Sequence, residues 1–207
     1  MKNWPAAENL IRADPMERSL GRKADSETGG SKMTKRKQVS KELRPVKQTQ
    51  ELEDLREFFP EGKGRLEGVL EAGLLGPGSP ELRESGRFRL EWIMDGAFCL
   101  LTYDVHLYDG AKKTDRSQGH CVMGWDTNAG EYRMLRAANL GVMFQMSGRI
   151  KGDRLVFTSD SRKLKGRKTK IRYSFVKERP IETFWIAELS VDGGPWKVVG
   201  RDALTYA

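Results

Sequence analysis

Beyond residue 62, apolar side chains recur at every second position, and each run is cut short by turn residues. Candidate strands occupy 64–72, 82–94, 97–108, 117–125, 131–138, 142–151, 154–159, 169–178, 181–191 and 196–206. The breaks are turn chemistry: Asp95-Gly96, Asp109-Gly110, Asp126-Thr127-Asn128-Ala129-Gly130, Lys151-Gly152-Asp153 and Asp192-Gly193-Gly194-Pro195. About ten strands in roughly 145 residues leave no room for crossover helices, which excludes a parallel sheet. A meander of this length is expected to close, because closure removes its exposed edges. The expected fold is therefore all-β, an antiparallel up-and-down barrel of about ten strands.

One short helix is expected ahead of the barrel, capping it. In TQELEDLREFF, Leu52, Leu55, Phe58 and Phe59 fall at helical spacing behind Thr49, which can cap, and acids fill the first turn. The helix should span 49–59 and end at Pro60-Glu61-Gly62. Residues 1–47 have one aromatic, Trp4, and no sustained apolar period. They cannot bury enough surface to offset the entropy of ordering, so they read as a disordered tail. The division expected is a basic tail over 1–47 and a barrel domain over 48–207, with Met33 as an alternative start.

The net charge of +8 resides mostly in that tail. Residues 1–47 hold 12 Lys/Arg against 6 Asp/Glu, and the other 160 hold 25 against 23. The barrel is thus close to neutral, which disfavours nucleic acid as a partner. The exception is RKLKGRKTKIR, residues 162–172, read as a solvated hairpin loop. Its Arg162, Lys163, Lys165, Arg167 and Lys168 form an anion-binding candidate, but no aromatic is present to stack a base. No run reaches the roughly 18 apolar residues of a membrane helix, and the N-terminus lacks a secretory h-region. Two cysteines, Cys99 and Cys121, cannot build a disulfide framework, so a cytoplasmic location with reduced thiols is expected.

Turn geometry gives a register. With Asp95-Gly96 as a hairpin loop, Trp92 lies opposite Cys99, Leu90 opposite Leu101 and Phe88 opposite Tyr103. Opposed residues share a face, so these apolar side chains and Val105 point inward, while Arg87, Arg89, Glu91, Thr102, Asp104 and His106 point outward. Across Lys151-Gly152-Asp153, Ile150 meets Leu155 and Gly148 meets Phe157. In 181–191 both faces start apolar, and the outer one is expected to be covered, with the N-terminal helix as candidate. The interior set offered as ligand-binding is Phe88, Trp92, Tyr103, Met123, Trp125, Phe144, Met146, Tyr173, Phe175 and Trp185. Barrels of this size either pack such rings or leave room for one small apolar ligand.

No catalytic motif accompanies the interior. There is no CxxC, HExxH, GxSxG or phosphate-binding loop, no zinc-ligand spacing, and the acids fall mostly at outward parity. His120 and Cys121 are adjacent on a strand, so their side chains face opposite ways. Cys121, Met123 and Trp125 form the more apolar set and should face inward, leaving His120 outside and opposite His106. A slip of one residue would reverse this. No cofactor or metal is implied, although haem stays open because it needs only one axial histidine and an apolar slot.

The stretches FFPEGKGRLEGVLEAG, RFRLEWIMDGAFCLLTYDV, GHCVMGWDTNAGEYRML and VVGRDALTY together resemble the family catalogued as domain of unknown function 1579, a calycin-like barrel family. The resemblance covers about residues 50–206 and centres on Gly124-Trp125-Asp126. It departs where Leu66 and Gly68 stand in place of a tryptophan in the first strand. The resemblance implies a calycin barrel and a small apolar ligand, and it assigns no catalytic residue. The expectation is a non-enzymatic barrel binding a small hydrophobic ligand. Alternatives are an enzyme using Tyr103 or Tyr173 as proton donor with an inward His120 as base, a haem-binding barrel, or an interaction module using the tail and 162–172.

Overall fold

The computed structural model describes residues 49–72, 78–139, 141–164, 166–179 and 181–207. The tail expected over 1–47 and Lys165 lie outside them. One helix, α1 (Gln50–Phe58), precedes eleven strands. They are β1 (Gly62–Leu70), β2 (Leu82–Ile93), β3 (Phe98–Asp109), β4 (Lys112–Asp126), β5 (Glu131–Ala138), β6 (Val142–Lys151), β7 (Arg154–Ser159), β8 (Arg162–Leu164), β9 (Arg167–Arg179), β10 (Glu182–Val191) and β11 (Lys197–Tyr206). Every pairing is antiparallel and mostly between sequence neighbours. Pairing of β11 with β1 and of β10 with β9 closes ten strands into a barrel, with β8 as a side strand on β9.

Hairpin registers follow the turn chemistry. Trp92 pairs with Cys99, Leu90 with Leu101 and Phe88 with Tyr103, and Ile150 pairs with Leu155 and Gly148 with Phe157. The first of these hairpins turns through Met94, Asp95 and Gly96, all at positive φ (52°, 56° and 82°). That backbone favours the Asp-Gly pair found there.

Several details differ from the sequence reading. Strand β4 begins at Lys112 rather than 117, and a register shift at Leu107/Tyr108 places His106 opposite Arg116. His120 instead lies opposite Thr102. Residues 162–172 are not a free loop: β8 pairs with the start of β9, and the turn is held by Asp192, which accepts from Arg167 Nε at 2.8 Å and Lys168 N at 2.9 Å. Thr49 sits at the helix N-cap with extended backbone but no side-chain cap bond; its carbonyl accepts from the amides of Leu52 and Glu53 instead.

Helix α1 caps one end of the barrel, as expected, and does not cover the outer face of β10. Leu52, Leu55, Phe58 and Phe59 are buried, and Phe59 packs edge-on against Phe175 at 4.8 Å between ring centres. Carbonyls at the end of a helix lack intrahelical partners and must find others. Here Trp92 Nε1 donates to Phe59 O at 3.1 Å and Thr183 Oγ1 to Phe58 O at 3.1 Å. Tyr132 OH donates to Glu51 O at 3.0 Å, and Arg56 lies 3.9 Å over the Trp92 ring. With α1 at the end, the outer face of β10 stays uncovered by it: Phe184 and Ile186 line a surface groove with Val176 and Ala203.

Candidate functional site

Away from the plugged end, the interior changes character. The barrel is packed with Phe88, Met123, Met146, Phe157 and Phe175, each 3% exposed or less, up to about its middle. Beyond them lies a cavity of about 60 Å³, lined by Leu66, Leu70, Glu84, Tyr103, Val105, Ser117, Arg136, Tyr173, Trp185, Ala187, Gly200 and Asp202. A volume of this order holds a few water-sized groups and is far below the several hundred Å³ that encloses a drug-sized ligand.

Two glycines make the polar cluster possible. Glu84 on β2 pairs with Gly68 on β1, and Gly68 pairs with Asp202 on β11. All three therefore face the same way, and because Gly68 has no side chain the two carboxyls meet above it. A Cβ at position 68 would overlap Asp202 Oδ1 and stand 2.5 Å from the Arg201 carbonyl oxygen. On the other wall, a Cβ at Gly119 would overlap the Tyr103 hydroxyl. The Tyr103 ring lies across that gap and reaches Arg136 on β5.

Arg136 is the centre of the cluster. Its Nη2 and Nε donate to the Tyr103 hydroxyl at 2.8 and 3.3 Å, and its Nη1 donates to the Tyr173 hydroxyl. The guanidinium lies 4.9 Å from the Trp185 ring centre, and Tyr103 and Tyr173 stand edge-on to the same indole at 6.1 and 5.2 Å. A guanidinium carries five N–H donors, so two have no partner among the described residues after these bonds. Burial works against its charge and the facing tyrosine oxygens work for it, the balance raising its pKa above the ordinary value.

The carboxyls behave as a pair. Burial raises the pKa of Glu84, against the opposing effects of its hydrogen bond from Asp202 and the charge of Arg136. Asp202 is raised well above the ordinary range, first by burial and then by Glu84, with Arg136 again opposing. Two like charges in contact cannot both ionise cheaply, so the pair favours sharing one proton, with the Arg136 charge opposing the shift of both carboxyls. Two polar atoms of the lining, shut off from solvent, have no hydrogen-bond partner among the described residues: Asp202 Oδ1 and Trp185 Nε1.

Of the ten interior residues expected from parity, Tyr103, Tyr173 and Trp185 line this cavity. Phe88, Met123, Met146 and Phe175 belong to the packed core. Trp92 is half-buried beneath α1 and Trp125 packs on Tyr132 at 4.9 Å, both at the plugged end. Phe144 is half-buried toward the end opposite α1, with Arg162 stacked 4.4 Å over its ring. In the basic hairpin, Arg162 also donates to Met143 O and Arg167 pairs with Asp192, while Lys163 and Lys168 are exposed cross-strand partners.

Arg136, Glu84 and Asp202 escaped the sequence reading, which placed acids mostly outside. The signal was present in each case. Arg136 follows Tyr132 and Met134 at period 2, Glu84 precedes Phe88 and Leu90 at the same parity, and Asp202 shares the parity of Leu204. Both histidines face outward. His120 is exposed with Nδ1 3.2 Å from Thr102 Oγ1, and His106 meets Lys113 Nζ at 3.2 Å. That removes His120 as an interior base, and it gives a haem no histidine ligand inside the barrel.

No family model and no curated protein matches the sequence. Among solved structures, the fold is similar to that in the crystal structure of Rv2717c from M. tuberculosis. The likeness covers 78% of this chain and 99% of that chain at 11% identity, with a TM-score of 0.50. At that identity the likeness is one of fold, an antiparallel β-barrel.

Proposed function

We propose that the chain is a non-enzymatic barrel that binds a small molecule toward the end opposite α1, with the polar group of the ligand seated against Arg136. The observation that carries this reading is a guanidinium held inside an apolar barrel by Tyr103 and Tyr173, with two N–H donors unpartnered among the described residues. A cation used only for packing would be expected to have its donors satisfied within the protein. The apolar part of the ligand rests on the half-buried Leu70 and Ala187, since the deeper barrel is packed. The resemblance to the calycin-like family of unknown function supports the same reading by analogy of fold. This ligand is smaller than the hydrophobic guest that an open barrel would take, and a polar end is required of it.

The test is a saturation-transfer NMR screen of small amphiphiles against the full chain. Hits should compete with one another and vanish in Arg136→Met, which keeps the apolar stem and drops the charge. An empty screen, or hits that survive in that variant, would sink the reading.

A further inference from the structure

The outer face of β10 carries a pattern that the interior cavity does not use. Val176, Phe184 and Ala203 are direct cross-strand partners on β9, β10 and β11. All three point outward, because Phe175, Trp185 and Leu204 beside them take the interior. With Ile186, two residues further along β10, they floor a surface groove of about 350 Å³. Val176 is only 6% exposed although it faces out, so the groove has real walls. An apolar floor rimmed by charged side chains marks an interaction surface.

The charges around the groove select its occupant. Arg154 and Glu67 end the apolar row, and each has partners in its own chain, Asp153 for Arg154 and Ser85 with Arg83 for Glu67. Glu178 and Arg201 also line the groove and are exposed, and neither has a hydrogen bond or ion pair among the described residues. Strands β9 and β11 both run antiparallel to β10 and so parallel to each other. Glu178 lies two residues past Val176, and Arg201 lies two residues before Ala203. The two charges therefore flank Phe184 on opposite sides, along one diagonal.

A surface of one sign, such as an anionic bilayer or a nucleic acid, would satisfy Arg201 and repel Glu178. A second copy of the chain satisfies both. A two-fold axis through Phe184 sets residue i against residue j and j against i, so opposite charges placed symmetrically about it are self-complementary.

We propose that this face joins two copies of the chain in a two-fold dimer, with Glu178 of each copy paired with Arg201 of the other. Phe184 and Ile186 of each copy fill the groove of its mate. The apolar middle supplies most of the affinity, and the two exposed ion pairs set the orientation.

Analytical ultracentrifugation of the full chain and its charge variants tests this. The native chain should dimerise, with dissociation on dilution through the micromolar range. Glu178→Arg and Arg201→Glu each turn both ion pairs into like-charge contacts, so each variant alone should dissociate at least about tenfold more readily. Mixed in equal amounts, with one variant fluorescently labelled, the two should associate with each other, because every pair between unlike copies is again of opposite sign. Phe184→Ser should lose the dimer while circular dichroism stays native. A native chain that is monomeric throughout that range overturns the proposal. So does a mixture of the two charge variants that associates no better than either alone, and so does a dimer that keeps native affinity through both reversals.

Discussion

Glu84 and Asp202 come from strands that are not neighbours, and they hydrogen-bond to each other across Gly68 on the strand between them. The contact exists because one residue of β1 has no side chain. A Cβ there would overlap Asp202 Oδ1 and crowd the Arg201 carbonyl. Gly68→Ala should therefore destabilise the fold by roughly 1–3 kcal/mol, the usual cost of forcing one extra carbon into a packed interior. Urea denaturation monitored by tryptophan fluorescence measures it, and an unchanged midpoint would count against the overlap.

The carboxyl pair also sets a pH dependence. Both pKa values are raised in the folded chain, so it holds a proton that the unfolded chain has released. Where the folded state binds more protons, stability falls as pH rises. The contribution is fully retained below the unfolded carboxyl values, about 4, and is lost as pH climbs from there through the raised folded values. Asp104 and Asp192 act in the opposite sense, because Arg116 and Arg167 hold their pKa values down, and their contribution is lost in acid. Asp202→Asn keeps a donor to Glu84 and cannot ionise. Its melting temperature should decline less between pH 5 and 8 than that of the native chain, and parallel melting curves for the two proteins would contradict the pairing.

How the sequence carried this cluster is instructive. The barrel was legible because Asp-Gly and Asn/Gly turns fix hairpin register, and one correct register assigns every second side chain to a face. Phe88, Leu90 and Trp92 were placed in this way, and extending the same parity by two residues past Gly86 reaches Glu84. The extension is easy to miss, since an acid at inward parity looks like the end of a strand and not like part of its interior face. Asp202 and Arg136 are similar cases. What parity cannot provide is the meeting of β2 with β11 across a glycine, because that contact depends on barrel closure and on three strands at once. The helix was expected as a cap, and its period identified the apolar face; what the sequence could not give is which barrel side chains receive it, because the end of the barrel is a surface that exists only after closure.

The plug makes its own prediction. Phe59 is fully buried against Phe175, so Phe59→Ala should cost about 3–5 kcal/mol through lost transfer energy and the cavity left behind. Trp92→Phe keeps most of the ring and removes only the bond to the Phe59 carbonyl, so it should cost about 1 kcal/mol. Thermal or chemical denaturation of the two variants would show the difference, and equal losses would mean that the hydrogen bond holds α1 as strongly as the aromatic packing does.

Both thiols should be inert in the folded chain. Cys99 and Cys121 are fully buried; burial pushes the Cys121 thiol up to about 11 and that of Cys99 well above its ordinary value. Since the thiolate is the reactive form, an aromatic disulfide reagent at pH 8 should label neither until the chain opens. Labelling that is complete within mixing time in native buffer would place at least one thiol at the surface.

The central claim is that an apolar barrel holds one proton between two carboxyls beside a guanidinium, and carboxyl ¹³C NMR tests it directly. With Glu84 and Asp202 assigned by Glu84→Gln and Asp202→Asn, titration of the full chain from pH 3 to 9 should show Asp202 releasing its proton well above the ordinary carboxylate range. Glu84 should respond to the same proton, because the two titrate as a pair. Two independent titrations near pH 4, each like that of an exposed carboxylate, would contradict the account.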